Sequence, residues 1–427
     1  MKGAKLLACH ECDLLQWEVP LALGEVLRCR RCNAELYRIH QNSLDRALAY
    51  VLASIALFVV ANAFPIVGLA VNGNLVQTTL FGATRQLYEH GMWPLALLVF
   101  TTTILMPFLQ VSAILYLLLP LRLHRMPYRP NLVFRVMHLA QPWGMTEVLI
   151  LGMLVALVKL AHIASVVPGV ALWSYGVLML LIAAANAAFD PRQFWILIGR
   201  TRDDRANAES VATLPAATAA SCGFLVCHSC GLISRSNSRA HEICCPRCET
   251  RIHLRKPDSI TRTWAFLIAA AILYIPANVL PVMDTSSLFG AEKDTILSGV
   301  VYLWTSGSWP LAILVFIASI AVPMLKIIAI AFLVITAQLH SQWQPEKRAR
   351  IYRLVELVGR WSMLDIYVIT MLVALVQFDA LATIKAGPAA IAFGAVVVLT
   401  MFAAMSFDPR LIWDNLEKGH GHLIRQD

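Results

Sequence analysis

Long apolar runs alternate with short polar segments along almost the whole of this chain. A transmembrane helix needs about 20 predominantly apolar residues, and both halves contain runs of about that length. We predict spans at 47–69, 93–120, 146–164 and 169–189 in the first half, and at 263–283, 309–337, 362–379 and 388–407 in the second. The pattern thus predicts a polytopic all-α membrane protein with eight spans. A six-span alternative stays open, in which a short third or fourth segment is re-entrant.

The composition agrees with this class of protein. The chain is 58% hydrophobic and 14% charged, whereas a soluble domain is about a quarter charged. Its mean hydropathy is +0.66. The first apolar run begins near Ala47 without a small-residue cleavage pattern, so we expect no signal peptide.

The two halves repeat one another in register. Residues 93–100 return at 309–316 with one substitution, 216 positions later, and Met153–Val158 returns unchanged as Met371–Val376. The Phe-Asp-Pro-Arg segment at 189–192 returns at 407–410. A register kept along most of each half indicates a tandem duplication.

Each copy of the duplicated unit is a small four-cysteine module followed by a four-helix transmembrane bundle. We expect the first zinc ribbon at 1–40, the first bundle at 44–195, a linker at 196–221, the second zinc ribbon at 222–257, the second bundle at 260–413 and a tail at 414–427. Because each bundle has an even number of spans, both repeats enter the membrane from the same side and are parallel.

Loop charge predicts which side of the membrane each segment occupies. The formal net charge is +9, and basic residues cluster between the second and third spans of each half. These residues are Arg122, Arg125, Arg129 and Arg135 in the first half, and Lys347, Arg348, Arg350, Arg353 and Arg360 in the second. By the positive-inside rule, both termini, both modules, the linker and the tail are cytoplasmic. The rule also accounts for the basic charge without nucleic-acid binding.

Eight of the ten cysteines form two sets of paired CxxC motifs. The first set is Cys9, Cys12, Cys29 and Cys32, and the second is Cys227, Cys230, Cys245 and Cys248. Two such pairs at this separation are typical of a zinc ribbon, in which four thiolates surround one ion and leave no position for water. We therefore predict two structural zinc ions.

Other uses of the cysteines are less consistent with the sequence. Disulfides are disfavoured on the cytoplasmic side, and the βαβ pattern that accompanies a thioredoxin-like CxxC is absent. Iron–sulfur or redox chemistry stays open as an alternative. Cys222 and Cys244 fall outside the repeat, although Cys244 is able to replace its neighbour Cys245 as a ligand.

Polar residues inside the spans of the second half are expected to converge at one depth, in its cytoplasmic part. Lys326 follows the start of its span by about 17 residues, or about 25 Å of helix. Asp365 lies near the cytoplasmic start of the next span, at a matching depth. We predict a polar transport cavity formed by Ser319, Lys326, Ser362, Asp365 and Thr400. The alternative is that Lys326 extends to the interface while Asp365 caps a helix there.

The first half lacks most of this set, although it shares the fold. Gln110 takes the place of Lys326, Glu147 that of Asp365, Gly144 that of Ser362 and Ile182 that of Thr400, while Thr103 keeps the hydroxyl of Ser319. If the polar layer only stabilised the bundle, both halves would be expected to keep it. The comparison therefore places the active cavity in the second half.

Taken together, these motifs resemble the paraquat-inducible protein A family. The resemblance rests on the paired CxxC modules, the duplicated bundles, the Ala-Asn-x-x-Pro and Trp-Pro-Leu-Ala segments, and Arg-Trp-Ser-Met-Leu-Asp at 360–365. It covers nearly the whole chain. It implies a component of a Gram-negative inner membrane that works with a periplasmic MCE-domain tunnel protein and carries lipid, phospholipid in particular.

Three functional hypotheses follow. In the first, the chain is a lipid transporter without enzymatic activity, since it has no GxxxxGK[ST] motif for ATP hydrolysis. In the second, it is a membrane redox or metal-handling protein whose CxxC modules are the active centres. In the third, it is a scaffold that anchors the MCE partner, and changes in the polar layer are tolerated.

Overall fold

The computed structural model describes residues 6–19, 21–22, 24–38, 42–71, 74–161, 165–199, 218–235, 243–287, 290–307, 309–375, 377–378 and 382–414. The chain is organised as two cysteine modules, which lie together at one end of a helical assembly, and two small β-sheets at the other. We refer to these as the module end and the sheet end.

Each module consists of two short antiparallel hairpins. Their strands are β1 Leu6–Ala8, β2 Leu15–Trp17, β3 Val26–Arg28 and β4 Glu35–Arg38 in module 1, and β8 Phe224–Val226, β9 Ile233–Arg235, β10 Ile243–Cys244 and β11 Arg251–Ile252 in module 2.

The first bundle follows module 1 in the chain. Its helices are α1 Ser43–Ala63, α2 Leu80–Glu89, α3 Trp93–Phe100, a π-helix Thr101–Leu105, α4 Met106–Arg122, α5 Pro130–Ala140, a 3₁₀ turn Gln141–Trp143, α6 Thr146–Ala161, α7 Val170–Ala188 and α8 Pro191–Leu197.

The second bundle repeats this order. Its helices are α9 Ser259–Val279, α10 Ile296–Thr305, α11 Trp309–Phe316, a π-helix Ile317–Ala321, α12 Val322–Gln338, α13 Pro345–Gly359, a 3₁₀ turn Arg360–Met363, α14 Leu364–Leu375, α15 Pro388–Ser406 and a 3₁₀ turn Pro409–Ile412. Across the described residues, eight helical stretches are long and apolar enough to span a membrane. The predicted fold, a duplicated four-span bundle with paired cysteine modules, is confirmed.

The π-helices occupy equivalent places in the two halves. Each ends two residues before a proline, Pro107 in the first half and Pro323 in the second. Proline has no N–H to donate to the carbonyl four residues earlier, and in each half that carbonyl belongs to the π turn. The kinks that these prolines predict therefore take the form of π turns.

The sheet end differs from the predicted span boundaries. The first span ends at Ala63 instead of continuing to residue 69, and strands follow it in both halves. One sheet has the order β6 Asn74–Thr78, β5 Val67–Val71, β7 Ser165–Pro168, and the other has β13 Gly290–Asp294, β12 Met283–Ser287, β15 Ala382–Ala386, β14 Gln377–Phe378. These strands are too short to stand out against the apolar runs that precede them.

A glycine before the fourth span of each half allows the chain to close this end. A Cβ on Gly169 would lie 2.1 Å from the carbonyl oxygen of Pro65, and one on Gly387 would lie 2.2 Å from that of Pro281. Only glycine permits this approach. The Asn-x-x-Pro turn and the start of the fourth span are thus in close backbone contact in both repeats.

The two halves join through α14, which lies at the centre of the assembly. Every α14 side chain that the structure describes, Leu364 and Ile366–Ala374, is buried. This helix packs against α6, α2 and α3 of the first half and against α15 of its own. The hydroxyl of Tyr367 donates a hydrogen bond to Oγ1 of Thr102, at 2.9 Å, across this junction.

Nearly identical helices have different surroundings in the two halves. In α3, Leu98 and Phe100 are half-buried, and the helix packs on its neighbour α2 and also on α15 and α14 of the other half. In α11, which differs from α3 by one residue, the equivalent residues Leu314 and Phe316 are 37% and 43% exposed. Helix α11 packs mainly against its neighbour α10. The duplicated sequence therefore forms an assembly that is not symmetric.

Candidate metal centres and a buried polar site

The four CxxC segments share one backbone geometry. In each, the N–H of the first cysteine donates to the carbonyl five residues later, and the residue four positions after that cysteine donates back to its carbonyl. That residue has a positive φ in every case, between 58° and 69°: Asp13, Asn33, Gly231 and Glu249. The turn presents both sulfurs of a CxxC pair to the same side.

The turns bring each set of four cysteines together. Within each set all four Sγ atoms lie within 4.8 Å of one another. The pairs Cys9–Cys32 and Cys12–Cys29 have Sγ atoms 3.5 Å apart, and the corresponding distances in module 2 are 3.4 and 3.5 Å. Zinc–sulfur bonds of 2.3 Å in a tetrahedron correspond to sulfur separations of about 3.8 Å. The donor sets fit one metal ion each.

The state of the thiols is consistent with metal ligands. All ten cysteines are described and none forms a disulfide. Hydrogen bonds with Cys227 and Cys230 lower the pKa of the Cys245 thiol to about 7, and the bond with Cys12 lowers the pKa of Cys29. In each set the pKa is lowered at two thiols and raised at the other two, so the thiolate form that binds metal is favoured at the second CxxC pair, Cys29 and Cys32 in module 1 and Cys245 and Cys248 in module 2. Cys222 and Cys244 are not members of either cluster.

Module 1 packs its buried cysteine core against the second bundle, although Arg192 of the first bundle also lies 4.7 Å from the ring centre of Tyr37. Its cysteines, Leu14 and Ala34 share a buried cluster with Leu333 of α12 and Phe407. The guanidinium of Arg31 lies 4.6 Å from the ring centre of Trp413. Arg353 of α13 donates to Glu11 at 2.8 Å and also to the carbonyl oxygen of Cys32.

Module 2 makes the reciprocal contact with the first bundle. Cys227, Cys248 and Ile252 belong to the same buried cluster as Phe134 of α5 and Trp195 of α8. His138 of α5 lies near the backbone of Ser229, and Arg135 lies 3.7 Å from Glu249. The buried cysteine core of each module thus packs against the bundle of the other half.

The modules also contact each other through Asp13. Its carbonyl accepts from the N–H of Ala219 at 2.9 Å, and its carboxylate accepts from Arg255 at 3.0 Å. Burial raises the pKa of this carboxyl, although Arg255 opposes the shift. A cavity of about 880 Å³ lies between the modules and the two Phe-Asp-Pro-Arg turns. Several of its charged groups are paired with one another, as Asp408 is with Arg410.

The predicted polar layer is buried where its side chains are described. Ser319, Ser362 and Thr400 are each 1% exposed, and Lys326 is 4% exposed. The 3₁₀ turn that carries Ser362 packs against the π-helix of Ser319 and against α15, which carries Thr400. The backbone of Asp365 belongs to α14, but its side chain lies outside what the structure describes.

These polar groups differ in how they are satisfied. The hydroxyl of Ser319 donates to the carbonyl of Val315 at 2.7 Å, and that of Thr400 donates to Val397 at 2.9 Å. Among the described residues, neither Nζ of Lys326 nor Oγ of Ser362 has a hydrogen-bond partner. Within the part of the chain that the structure describes, the layer therefore contains a buried lysine amine and a buried hydroxyl whose hydrogen-bonding capacity is unused.

The first half satisfies the equivalent position internally. Nε2 of Gln110, the counterpart of Lys326, donates to Oδ1 of Asn186 at 2.7 Å. The counterpart of Asn186 in the second half is Ala404, which cannot accept such a bond from its side chain. The first half thus has a closed polar pair where the second has a lysine amine with no partner among the described side chains.

Sequence reasoning missed one residue of this site, Gly359. A Cβ built there would lie 3.1 Å from Nζ of Lys326, so the end of α13 lies directly against the ammonium group. The equivalent position in the first half is Gln141. This difference between the repeats is the sequence signal that could have identified Gly359 as part of the site.

Comparison with known proteins identifies relatives along nearly the full length. A family described as Paraquat-inducible protein A matches residues 44–198 and 260–417. The Intermembrane transport protein PqiA of Escherichia coli (strain K12) is 35% identical over 416 residues, which cover 96% of this chain and 96% of that protein. The Lipophilic envelope-spanning tunnel protein A of the same strain is 30% identical over 412 residues, covering 96% and 92%. No solved structure matches the chain.

Proposed function

Since the chain belongs to the paraquat-inducible protein A family, we propose that it is a lipid transporter subunit of the bacterial inner membrane. It passes lipid, phospholipid in particular, to or from a periplasmic MCE-domain tunnel protein and so maintains the outer membrane. Relatives named for intermembrane transport and for an envelope-spanning tunnel support this assignment. Both termini and both modules face the cytoplasm, as the basic loops require.

The observation that carries the proposal is the ammonium group of Lys326. An ionised side chain at membrane depth is costly and usually marks a pathway for substrate or ions. Lys326 is 4% exposed and has no hydrogen-bond partner among the described residues. A phosphate group supplies the charge and the acceptors that an ammonium group lacks in such a place. The lipid head group is therefore the ligand whose chemistry fits best.

The transport site comprises Ser319, Lys326, Ser362, Asp365 and Thr400 of the second half. The asymmetry of the bundles supports this location, because Gln110 of the first half already has a partner in Asn186. The exposed face of α11 offers a lipid-facing approach on the same half. The first bundle supports the second and is not an equal transport unit.

The cysteine modules act in this proposal as structural zinc ribbons. The eight ligand cysteines are at most 5% exposed, whereas redox-active cysteines need access to their reaction partners. The burial favours structural zinc over the redox alternative. We assign no enzymatic reaction to the chain.

A direct test is Lys326→Gln, which installs the residue that the first half carries at this position. In cells that lack the native chain, the variant should be made at normal levels but fail to restore outer-membrane integrity. Lys347→Gln, the same substitution at an exposed site on α13, should restore it fully. The phospholipid that copurifies with each variant should fall only for Lys326→Gln.

Normal membrane integrity with Lys326→Gln would refute the transport site. If the variant also still captured the MCE-domain partner, the scaffold hypothesis would replace ours.

A further inference from the structure

We propose that module 1 positions the Lys326 site across the duplication, and that Arg353 is the residue that transmits its effect. The metal centre of the first repeat thus controls the transport site of the second. The importance of this coupling for transport rests on the function proposed above, but the coupling itself is a separate physical claim.

Arg353 holds the two halves of module 1 together at the same place as the metal. Its Nε donates to Glu11, which lies between Cys9 and Cys12, at 2.8 Å. Its terminal nitrogen donates to the carbonyl oxygen of Cys32 in the other CxxC turn. Both acceptors must keep a fixed separation for one guanidinium to reach them. A metal ion that joins the two turns fixes that separation.

Helix α13 connects this contact to the buried lysine. Arg353 lies six residues before Gly359, about 9 Å along a helix that rises 1.5 Å per residue. Gly359 ends α13, and a Cβ there would lie 3.1 and 3.2 Å from Nζ and Cε of Lys326. The next residues form the 3₁₀ turn that carries Ser362. A shift or loosening of α13 must therefore change the surroundings of both polar groups.

The first half provides a natural comparison with a weaker connection. Arg135 is the counterpart of Arg353, and among the described residues of module 2 it reaches Glu249 alone, at 3.7 Å. Both partners of that pair are well exposed, at 42% and 59%, where ion pairs contribute little. Glu11, by contrast, has a side chain that is only 10% exposed. The Arg353 contact is therefore expected to couple module 1 to α13 more strongly than the Arg135 contact couples module 2 to α5.

Amide hydrogen exchange of the full-length protein tests the coupling without measuring transport. Arg353→Gln should accelerate exchange in residues 354–363 by roughly tenfold, the effect of losing bonds to a charged group, while metal content stays at two ions per chain. Arg135→Gln is the matched control and should leave residues 136–145 almost unchanged. Removing one metal site with Cys29→Ser and Cys32→Ser should accelerate exchange in 354–363, whereas Cys245→Ser with Cys248→Ser should not.

Unchanged exchange of residues 354–363 in Arg353→Gln would overturn the proposal, and so would acceleration there by the module 2 variant. If the module 1 variant fails to fold, Arg353→Gln still decides the question, because it leaves all metal ligands in place. A normal transport phenotype in Lys326→Gln would refute the proposed function but not the coupling.

Discussion

Gly152 is the position where a single methyl group should most clearly disturb the junction between the two halves. It lies in α6, opposite α14. A Cβ at this position would lie 2.9 Å from Cβ of Tyr367 and 3.2 Å from the carbonyl oxygen of Leu364. Neither atom belongs to the flexible end of a side chain, so the two helices must separate to admit alanine.

The expected loss of folding stability follows from these distances. Carbon atoms pack best at about 3.5–4.0 Å, so the backbones must move apart by about 1 Å. Overpacking of this kind typically costs about 1–3 kcal/mol. The same movement stretches the hydrogen bond from Tyr367 to Thr102, now 2.9 Å long, whose loss adds about 1 kcal/mol. Gly152→Ala should therefore lower the free energy of unfolding by about 2–4 kcal/mol.

Thermal unfolding of the purified protein in detergent measures this effect. The matched control is Gly176→Ala in α7, where no described atom lies within 4 Å of the added Cβ. Alanine there should leave the Tm unchanged or raise it slightly, because it favours the helix more than glycine does. A Tm for Gly152→Ala equal to that of Gly176→Ala would refute the close packing of α6 on α14.

Two further predictions concern the module end. By elemental analysis, the purified protein should contain two zinc ions per chain, and the Cys12→Ser and Cys230→Ser variants should each contain one. If the native protein instead contains fewer than two metal ions and its thiols are reversibly oxidised, redox chemistry would be favoured. Asp408 is buried, which by itself raises the pKa of its carboxyl, but hydrogen bonds from Arg410 outweigh burial and lower that pKa. The carboxylate of Asp408 therefore stabilises the fold fully above about pH 4, its pKa in the unfolded chain. This stabilisation is lost as the pH falls through the lower pKa that the group has in the folded protein. Asp408→Asn should lower the free energy of unfolding by about 1.5–3 kcal/mol at neutral pH, and its Tm should fall less on acidification than that of the native protein. Equal falls in Tm for the two proteins would contradict this prediction.

Local sequence patterns were sufficient for the helices and the cysteine turns. Span length depends on bilayer thickness and on apolar composition, both of which act within one segment. The boundaries from Trp93 and Val170 onward agree with the prediction to within a residue or two. Likewise, a CxxC pair determines its own turn, because both ligands and the positive-φ residue lie within five positions. The strands after Ala63 were missed because their pairing partners include β7, which lies far along the chain.

The sequence by itself thus determined the duplication, the eight apolar helices, the two four-cysteine sets and the identity of the polar residues in the second half. Only the tertiary structure decided that the cysteine core of each module packs against the other repeat's bundle, that α14 lies at the centre, and that Gly359 lies against Lys326. The physical reason is that a repeat carries the same local preferences twice. Which copy of α3 or α11 becomes buried depends on contacts between the halves, and those contacts exist only once the whole chain has folded.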